Sequence, residues 1–120
     1  CAQAGNVNSG ASDPFVALRA WCDGADAWLH VDGAFGLFAA ASPALRAQLA
    51  GVERADSWAT DAHKWLNVPY DCGIAFVRDP APLRAAMAIT AEYLPSEDQA
   101  RCERGDTERW LHPGVLVVVA

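Results

Sequence analysis

The sequence has 120 residues, of which 52% are hydrophobic and 20% charged, and its formal net charge is −6 at pH 7. This length suits at most one domain, and the composition is that of a globular protein rather than a disordered or fibrous one. We expect no nucleic-acid partner, because binding phosphates requires a basic surface. We also expect no membrane span, because no apolar run approaches the roughly 18 residues that cross a bilayer.

The first part of the chain predicts a strand, a helix and a second strand. Residues 1–7 indicate a short strand that enters a turn rich in small polar residues. Asp13 followed by Pro14 predicts a helix start, with the aspartate as N-cap and the proline in the first helical position. Residues 28–32 are an apolar run ending in Asp32 and a glycine-rich turn, as in a buried parallel strand. Asp32 is then at the carboxyl end of its strand, where open α/β sheets bind ligands.

The second part of the chain continues this alternation. Ser42–Pro43 predicts another helix start, and residues 55–60 predict a short strand. Residues 72–77 predict a further strand, and Asp79–Pro80 repeats the combination of cap and proline. Residues 115–119 predict a last strand for which the sequence reveals no pairing partner. Strands that alternate with helices indicate an α/β fold with a mainly parallel sheet and flanking helices.

Lys64 is the most informative single residue, because it lies between His63 and Trp65 in an apolar stretch. Lysine is rarely buried unless it is paired or bound. Apolar surroundings favour the neutral amine, a nucleophile that forms a Schiff base with an aldehyde. The alternative is that Lys64 stays charged, with its aliphatic stem packed along Trp65 and its ammonium group in water. A Schiff-base lysine together with an acid such as Asp32, able to pair with a pyridinium nitrogen, is the protein's contribution to pyridoxal phosphate (PLP) chemistry.

Two motifs resemble the PLP-dependent decarboxylases of the aromatic-amino-acid and glutamate decarboxylase group. The first is His30–Phe35, which matches the family pattern His-Val-Asp-x-Ala-aromatic, and the second is His63–Trp65, followed by the pair Asp71–Cys72. The gap between the aspartate and the lysine is also the family's, and the resemblance runs over residues 5–94. It implies a fragment of the large domain of the aspartate-aminotransferase fold (fold type I), PLP as cofactor, and an amino-acid carboxy-lyase activity.

The resemblance implies cofactor-binding roles for four residues. Lys64 is implied to be catalytic and to hold PLP covalently until the substrate's amine displaces it. Asp32 is implied to keep the ring nitrogen protonated, since an opposite charge favours the charged form. His63 is implied to help bind the phosphate, and Ala34 to pack under the cofactor ring, where a larger side chain would push the ring away. An ordinary tight-turn alanine remains the alternative for Ala34.

Three further positions are less directly implied. Asp61 occupies a cofactor-binding position where the family commonly has asparagine. Because its charge would repel a phosphate, we expect it to turn away or to act through another group. Tyr93 matches the tyrosine of the family's mobile loop, the implied acid that protonates the substrate carbon after carbon dioxide leaves; the alternative is a loop tyrosine with a packed ring and a wet hydroxyl. Val7 cannot supply the family's threonine contact, for which Asn6 or Asn8 could substitute unless turn chemistry accounts for both.

The resemblance also predicts the organisation of the chain. Residues 1–95 are expected to be the C-terminal half of the PLP-binding large domain, and residues 96–120 a divergent tail, the start of the small domain or an artefact. The phosphate-binding turn and much of the substrate pocket of the family lie outside the chain. We therefore expect this fragment alone to be inactive, and the longer enzyme to be a homodimer that acts on an amino acid.

The cysteines predict neither a metal nor a redox site. The four of them, Cys1, Cys22, Cys72 and Cys102, include no CxxC motif. Free thiols are typical of a reducing compartment, and no signal peptide precedes the first strand. The expected location is the cytoplasm.

Two alternatives stay open. Class V aminotransferases and cysteine desulfurases share the fold, the His-Lys pair and an Asp-x-Ala turn, but they usually have glutamine where this chain has Phe35. A degenerate, non-catalytic scaffold or binding fragment is the second alternative, favoured by the missing half and the divergent tail. Serine- or thiol-based hydrolysis has little support, because no nucleophile elbow or paired Cys-His motif is present.

Overall fold

In a computed structural model of the protein, residues 1–87 and 116–119 are described. Five strands form one sheet in the order of the sequence: β1 (Ala2–Gln3), β2 (His30–Asp32), β3 (Ser57–Asp61), β4 (Gly73–Val77) and β5 (Leu116–Val119). The helices are α1 (Phe15–Gly24), α2 (Ala62–Trp65) and α3 (Pro80–Met87), with 3₁₀ helices at Leu37–Ala41, Arg46–Leu49 and Val52–Arg54. None of the helices in the described ranges is long and apolar enough to cross a membrane.

The sheet is mixed, and its parallel part comes first. β1 pairs with β2 and β2 with β3 in parallel, with Val31 opposite Ala2 on one side and Trp58 on the other. The crossover from β1 to β2 contains α1, and the crossover from β2 to β3 contains the three 3₁₀ helices. β4 and β5 then add antiparallel pairings. The predicted α/β class is confirmed, and the last strand, for which the sequence revealed no partner, pairs with β4.

One face of the parallel strands carries the hydrophobic core. Phe15 of α1 and Val31 of β2 are the largest fully buried side chains among the described residues, at 1% and 0% exposure. Around them lie the other core residues: Ala2, Ala4, Cys22, Leu29, Ala39, Leu49, Val52 and Ala55. Because side chains alternate along a strand, the neighbours of Val31, His30 and Asp32, project from the opposite face. That second face carries polar groups.

The helix starts differ from their predictions in two places. Pro14, and not Asp13, occupies the N-cap of α1, and no side chain caps that helix. The Asp13 carboxylate instead accepts the Gln3 backbone N–H at 2.7 Å, which ties the start of α1 to β1. The helix predicted from Ser42–Pro43 consists of 3₁₀ turns only. The Asp79 prediction is confirmed, because its carboxylate accepts the Ala81 N–H at 2.9 Å.

A charged cluster joins α1 to the amino ends of β2 and β3. Asp56 Oδ2 accepts hydrogen bonds from Arg19 Nη1 at 2.6 Å and from the Leu29 N–H at 2.7 Å, and Arg19 Nε lies 2.8 Å from Asp23 Oδ1. Burial raises the pKa of the Asp56 carboxyl, but the Leu29 N–H and the Arg19 guanidinium outweigh it and hold that pKa below its ordinary value. The same contact raises the pKa of Arg19 further above its ordinary value.

Truncating Phe15 to alanine should lower the free energy of unfolding of the full-length protein by about 3–5 kcal/mol, since it removes a buried ring and leaves a cavity. The matched control is Val16→Ala on the next position of α1, where the side chain is 53% exposed. That change should stay within about 0.5 kcal/mol. Chemical denaturation measures both, and equal losses in the two variants would show that Phe15 is not the core residue described.

The Asp56 contacts predict a pH dependence with a definite sign. Because the pKa of Asp56 is lower folded than unfolded, its contribution is present above the ordinary aspartate pKa, about 3.9, and is lost as pH falls through the folded value. Asp56→Asn should therefore be less stable than wild type at neutral pH and should show a smaller loss of melting temperature on acidification. Asp26→Asn, which removes an aspartate outside this ion pair, should keep the wild-type pH profile.

Candidate active site

The carboxyl ends of β1, β2 and β3 meet at one edge of the sheet. The Ala4 N–H donates to the Asp32 carbonyl oxygen at 2.8 Å, and the Gly33 N–H donates to the Ala59 carbonyl oxygen at 2.7 Å. The buried Thr60 hydroxyl donates to the Gly33 carbonyl oxygen at 3.1 Å. These bonds hold the turn after Asp32 beside the end of β3. Side chains at the ends of both strands therefore lie at the edge where open α/β sheets bind ligands.

Glycines allow the loop after β1 to approach the turn after β2. Gly5 has a φ of +75°, and a Cβ at this position would lie 2.8 Å from the Gly36 Cα atom. A Cβ on Gly36 would lie 2.5 Å from the Ala4 carbonyl oxygen. Only glycine combines the left-handed conformation with this close approach, so the two loops are packed backbone to backbone.

Asp32 and Asp61 project from the same face of the sheet. Asp32 is opposite Ala59 in the parallel register, and Asp61 lies two residues beyond Ala59 on β3. Since side chains two residues apart share a face, the two carboxylates are on one side. Two residues of strand advance the chain by about 6.6 Å, so the two positions are offset by about this distance along the strand direction.

Lys64, on the short helix α2, turns its amine toward Asp61. Lys64 Nζ donates to Asp61 Oδ2 at 2.5 Å, and it lies 3.8 Å from the centre of the Phe35 ring. Phe35 belongs to the turn that follows Asp32, so the contact places the lysine amine against that turn. Asp61 is thus the ion-pair partner of the lysine.

His63 is oriented by the backbone of Cys72. The Cys72 N–H donates to His63 Nδ1 at 3.0 Å. Nδ1 also lies 3.1 Å from the Cys72 carbonyl oxygen, but a backbone N–H can only donate, so Nδ1 is the acceptor and Nε2 carries the proton. Nε2 lies 3.9 Å from Asp61 Oδ2, and the Tyr70 ring packs on the imidazole with centroids 4.3 Å apart. The imidazole thus presents a fixed N–H donor at the edge of the lysine cluster.

The Asp32 carboxylate is held on one side only. Its Oδ1 accepts the Ala34 N–H at 3.1 Å, which fixes the side chain over the turn. Within the part of the chain that the structure describes, Oδ2 has no hydrogen-bond partner and can accept one from a ligand. An anionic carboxylate placed in this way can pair with a protonated ring nitrogen.

A cleft of about 320 Å³ opens beside these residues. Its lining includes Phe35, Trp65, Leu45 and residues of the loop between positions 5 and 12. Because the Phe35 ring also contacts the Lys64 amine, the cleft adjoins the lysine. This combination of apolar lining and a few polar groups is typical of a small-molecule site.

The comparison with known families separates the decarboxylases from the class V aminotransferases and cysteine desulfurases. A family model described as the pyridoxal-dependent decarboxylase conserved domain matches residues 1–111. This chain belongs to that family. The family predicted from the two motifs is thereby confirmed, and so is pyridoxal phosphate as its cofactor.

Individual relatives agree with this assignment. The chain is 39% identical over 97 residues to the aromatic-L-amino-acid decarboxylase of Bacillus atrophaeus, covering 81% of this chain and 20% of the relative. It is 36% identical over 110 residues to tyrosine decarboxylase 4 of Petroselinum crispum, covering 92% and 22%. A crystal structure of Oryza sativa TDC with PLP and tryptamine matches with a TM-score of 0.76 at 37% identity, over 86% of this chain and 21% of that one. The chain spans about a fifth of the length of these relatives.

The Asn6 side chain is hydrogen-bonded within its own turn. Its Oδ1 accepts the backbone N–H groups of Asn8 at 3.0 Å and Ser9 at 3.2 Å, and its Nδ2 donates to Gln3 Oε1 at 2.8 Å. Val7, at the threonine position, is 61% exposed and lines the cleft. Turn chemistry therefore explains Asn6, as the sequence allowed.

Two contacts of the site went beyond the sequence predictions. The sequence identified Phe35 as the aromatic residue of the first motif and as a difference from glutamine, but not as a contact of the lysine amine. The pairing of Asp61 with Lys64 could have been found from their spacing, since residues three apart are neighbours on a helical turn.

Tyr93 lies outside the described residues. In those residues no cluster of three or more His, Cys, Asp or Glu side chains could hold a metal ion.

A second cavity, of about 270 Å³, lies at the opposite end of the parallel strands. Arg19 and Asp56 line it together with Asp23 and Trp28. Arg19 and Asp56 bind each other, and Asp56 also binds the Leu29 N–H. These contacts join α1 to the sheet.

Proposed function

We propose that the full-length protein uses pyridoxal phosphate to decarboxylate an amino acid. The observation that carries the proposal is that Lys64 and Asp32 lie at the same edge of the sheet, with the lysine amine on the Phe35 ring and the aspartate just before that turn. The donor set fits the cofactor, because it offers an amine for an aldehyde, a carboxylate for a ring nitrogen and an N–H for a phosphate. When bound, the cofactor supplies the electron sink that loss of carbon dioxide from an amino acid requires.

Each residue has a definite task in this proposal. Lys64 Nζ would hold the cofactor covalently until the substrate's amine takes its place. Asp32 Oδ2 would accept a hydrogen bond from the protonated ring nitrogen and keep that nitrogen charged. The Nε2–H group of His63 would donate a hydrogen bond to the phosphate, because Nδ1 already accepts one from the Cys72 N–H. Ala34 leaves space for the ring, and Tyr93 returns a proton to the substrate carbon.

The relatives and the cleft support a substrate class. The two relatives named above act, by their names, on aromatic amino acids, and we extend this class to the full-length protein. The cleft supports the extension, because Phe35 and Trp65 offer ring faces against which an aromatic side chain can pack. Carbon dioxide release from a panel of amino acids tests it. Release from glutamate in preference to tyrosine, tryptophan or phenylalanine would contradict the aromatic class.

The proposal includes a homodimer in the cytoplasm. Tyr70 is 85% exposed in the described part of the chain, and Trp65, Leu66 and Val68 beside it are between 36% and 50% exposed. Apolar side chains gathered near a site in this way mark a surface that another part of the protein covers. Light scattering on the purified full-length protein should give twice the monomer mass, and fractionation of its host cells should find it with soluble cytoplasmic enzymes.

Replacing Lys64 tests the covalent attachment. Full-length wild-type protein incubated with the cofactor should gain the absorbance band of a lysine-linked carbonyl, and borohydride should then fix the mass of the cofactor on Lys64. Lys64→Ala should show neither, because no other described residue places an amine on the Phe35 ring. Lys64→Arg keeps the charge without a nucleophilic amine, so it should also fail. A normal band in either variant would reject the role given to Lys64.

Replacing Asp32 tests the ring-nitrogen contact. Asp32→Asn keeps the size and the acceptor for the Ala34 N–H but removes the charge, so kcat for decarboxylation should fall by about 10²- to 10³-fold, as for loss of other electrostatic stabilisers. Covalent attachment at Lys64 should survive. Asp26→Asn, with the same loss of charge outside the site, should keep wild-type kcat. Equal kcat for Asp32→Asn and wild type would place the ring nitrogen elsewhere.

A further inference from the structure

The amine of Lys64 lies between a carboxylate and an aromatic ring. Its Nζ donates to Asp61 Oδ2 at 2.5 Å, and both side chains are 29% exposed, so water screens the pair only in part. On the other side the Phe35 ring is 3.8 Å from the same nitrogen. A carboxylate and the negative face of a ring both stabilise a positive charge on nitrogen.

The other charged or titratable groups of the site make no hydrogen bond to this nitrogen within the described residues. Asp32, from β2, is bound by the Ala34 N–H. His63, from α2, is held at Nδ1 by Cys72 and presents Nε2 to Asp61 at 3.9 Å, with Tyr70 on its ring. Within residues 1–87 and 116–119, Asp61 is the one carboxylate that hydrogen-bonds Lys64. It is therefore the group whose charge acts most directly on that amine.

We propose that Asp61 is the counter-ion of Lys64 Nζ, both in the cofactor-free protein and after this nitrogen bonds to the aldehyde carbon of pyridoxal phosphate. The inference rests on the proposed function. Asparagine, which the resemblance places here in the family, accepts a hydrogen bond from the amine but brings no charge. This chain thus carries a negative charge beside the nitrogen that forms the covalent link.

The charge balance of the covalent step explains why one counter-ion serves both states. The ammonium nitrogen and the aldehyde carbon form a C=N bond, and the carbonyl oxygen leaves as water with two of the three ammonium protons. The third proton stays on nitrogen, so the charge is +1 before and after. A carboxylate beside that nitrogen stabilises the protonated link, and its removal should let the proton leave at lower pH, by roughly one to three pH units.

The test is a pH titration of the absorbance of full-length protein loaded with pyridoxal phosphate, since the protonated and unprotonated links absorb at different wavelengths. Asp61→Asn should lower the midpoint by at least about one pH unit. Asp26→Asn is the matched control, because Asp26 has a φ of +49°, which asparagine also adopts, and it lines the cavity at the far end of the strands. Its midpoint should equal that of wild type.

Asp61→Glu keeps the charge on a longer stem and should hold the midpoint near the wild-type value. An Asp61→Asn midpoint equal to or above that of wild type would overturn the proposal. If Asp61→Asn shows no band, Asp61→Glu decides: a band with the wild-type midpoint supports the counter-ion, and no band overturns it. Wild-type protein without a band would instead reject the proposed function itself, so the two failures are distinguishable.

Discussion

The parallel register of β2 and β3 is the constraint on which the candidate site depends. Pairing Asp32 with Ala59 puts the last residue of β2 two positions short of Asp61, on the same face of the sheet. A shift of register by one residue would send one of the two carboxylates into the core face. The buried Thr60 hydroxyl, bound to the Gly33 carbonyl oxygen, and the Gly33 N–H, bound to Ala59, tie the register to the turn. The geometry of the site is thus set mainly by backbone pairing.

The Lys64 amine is positioned by two contacts and stays partly accessible to solvent. The sequence suggested a lysine that apolar neighbours push toward its neutral form, or one that reaches water. The structure gives it a carboxylate partner, Asp61, and a ring, Phe35. Both partners of this ion pair are 29% exposed, and such pairs contribute little to the free energy of folding. The main consequence of the pair is therefore the position and the charge of the amine. The pairing orients the amine toward the turn after Asp32 without burying it.

Much of the fold and of the site could be predicted from the sequence, and the exceptions have local causes. The apolar run ending in Asp32 and the sequence around Lys64 were sufficient for the strand edge and the family. The N-cap assigned to Asp13 was wrong because a free backbone N–H on Gln3 competes for the same carboxylate, and this contact spans ten residues. The Phe35 contact required the relative placement of two turns. Such long-range geometry is absent from local patterns, whereas the spacing of Asp61 and Lys64 could have been used.

The strand β4 contributes to the site through its backbone. It pairs antiparallel with β3, with Gly73 opposite Asp61, and this brings the preceding residue, Cys72, against His63. The Cys72 N–H then occupies Nδ1 of the imidazole, which leaves the proton on Nε2. The antiparallel addition to a parallel sheet therefore has a chemical consequence, because it selects the tautomer of the histidine beside the lysine. The Cys72 thiol has no part in this contact, so Cys72 acts here through the position of its main chain.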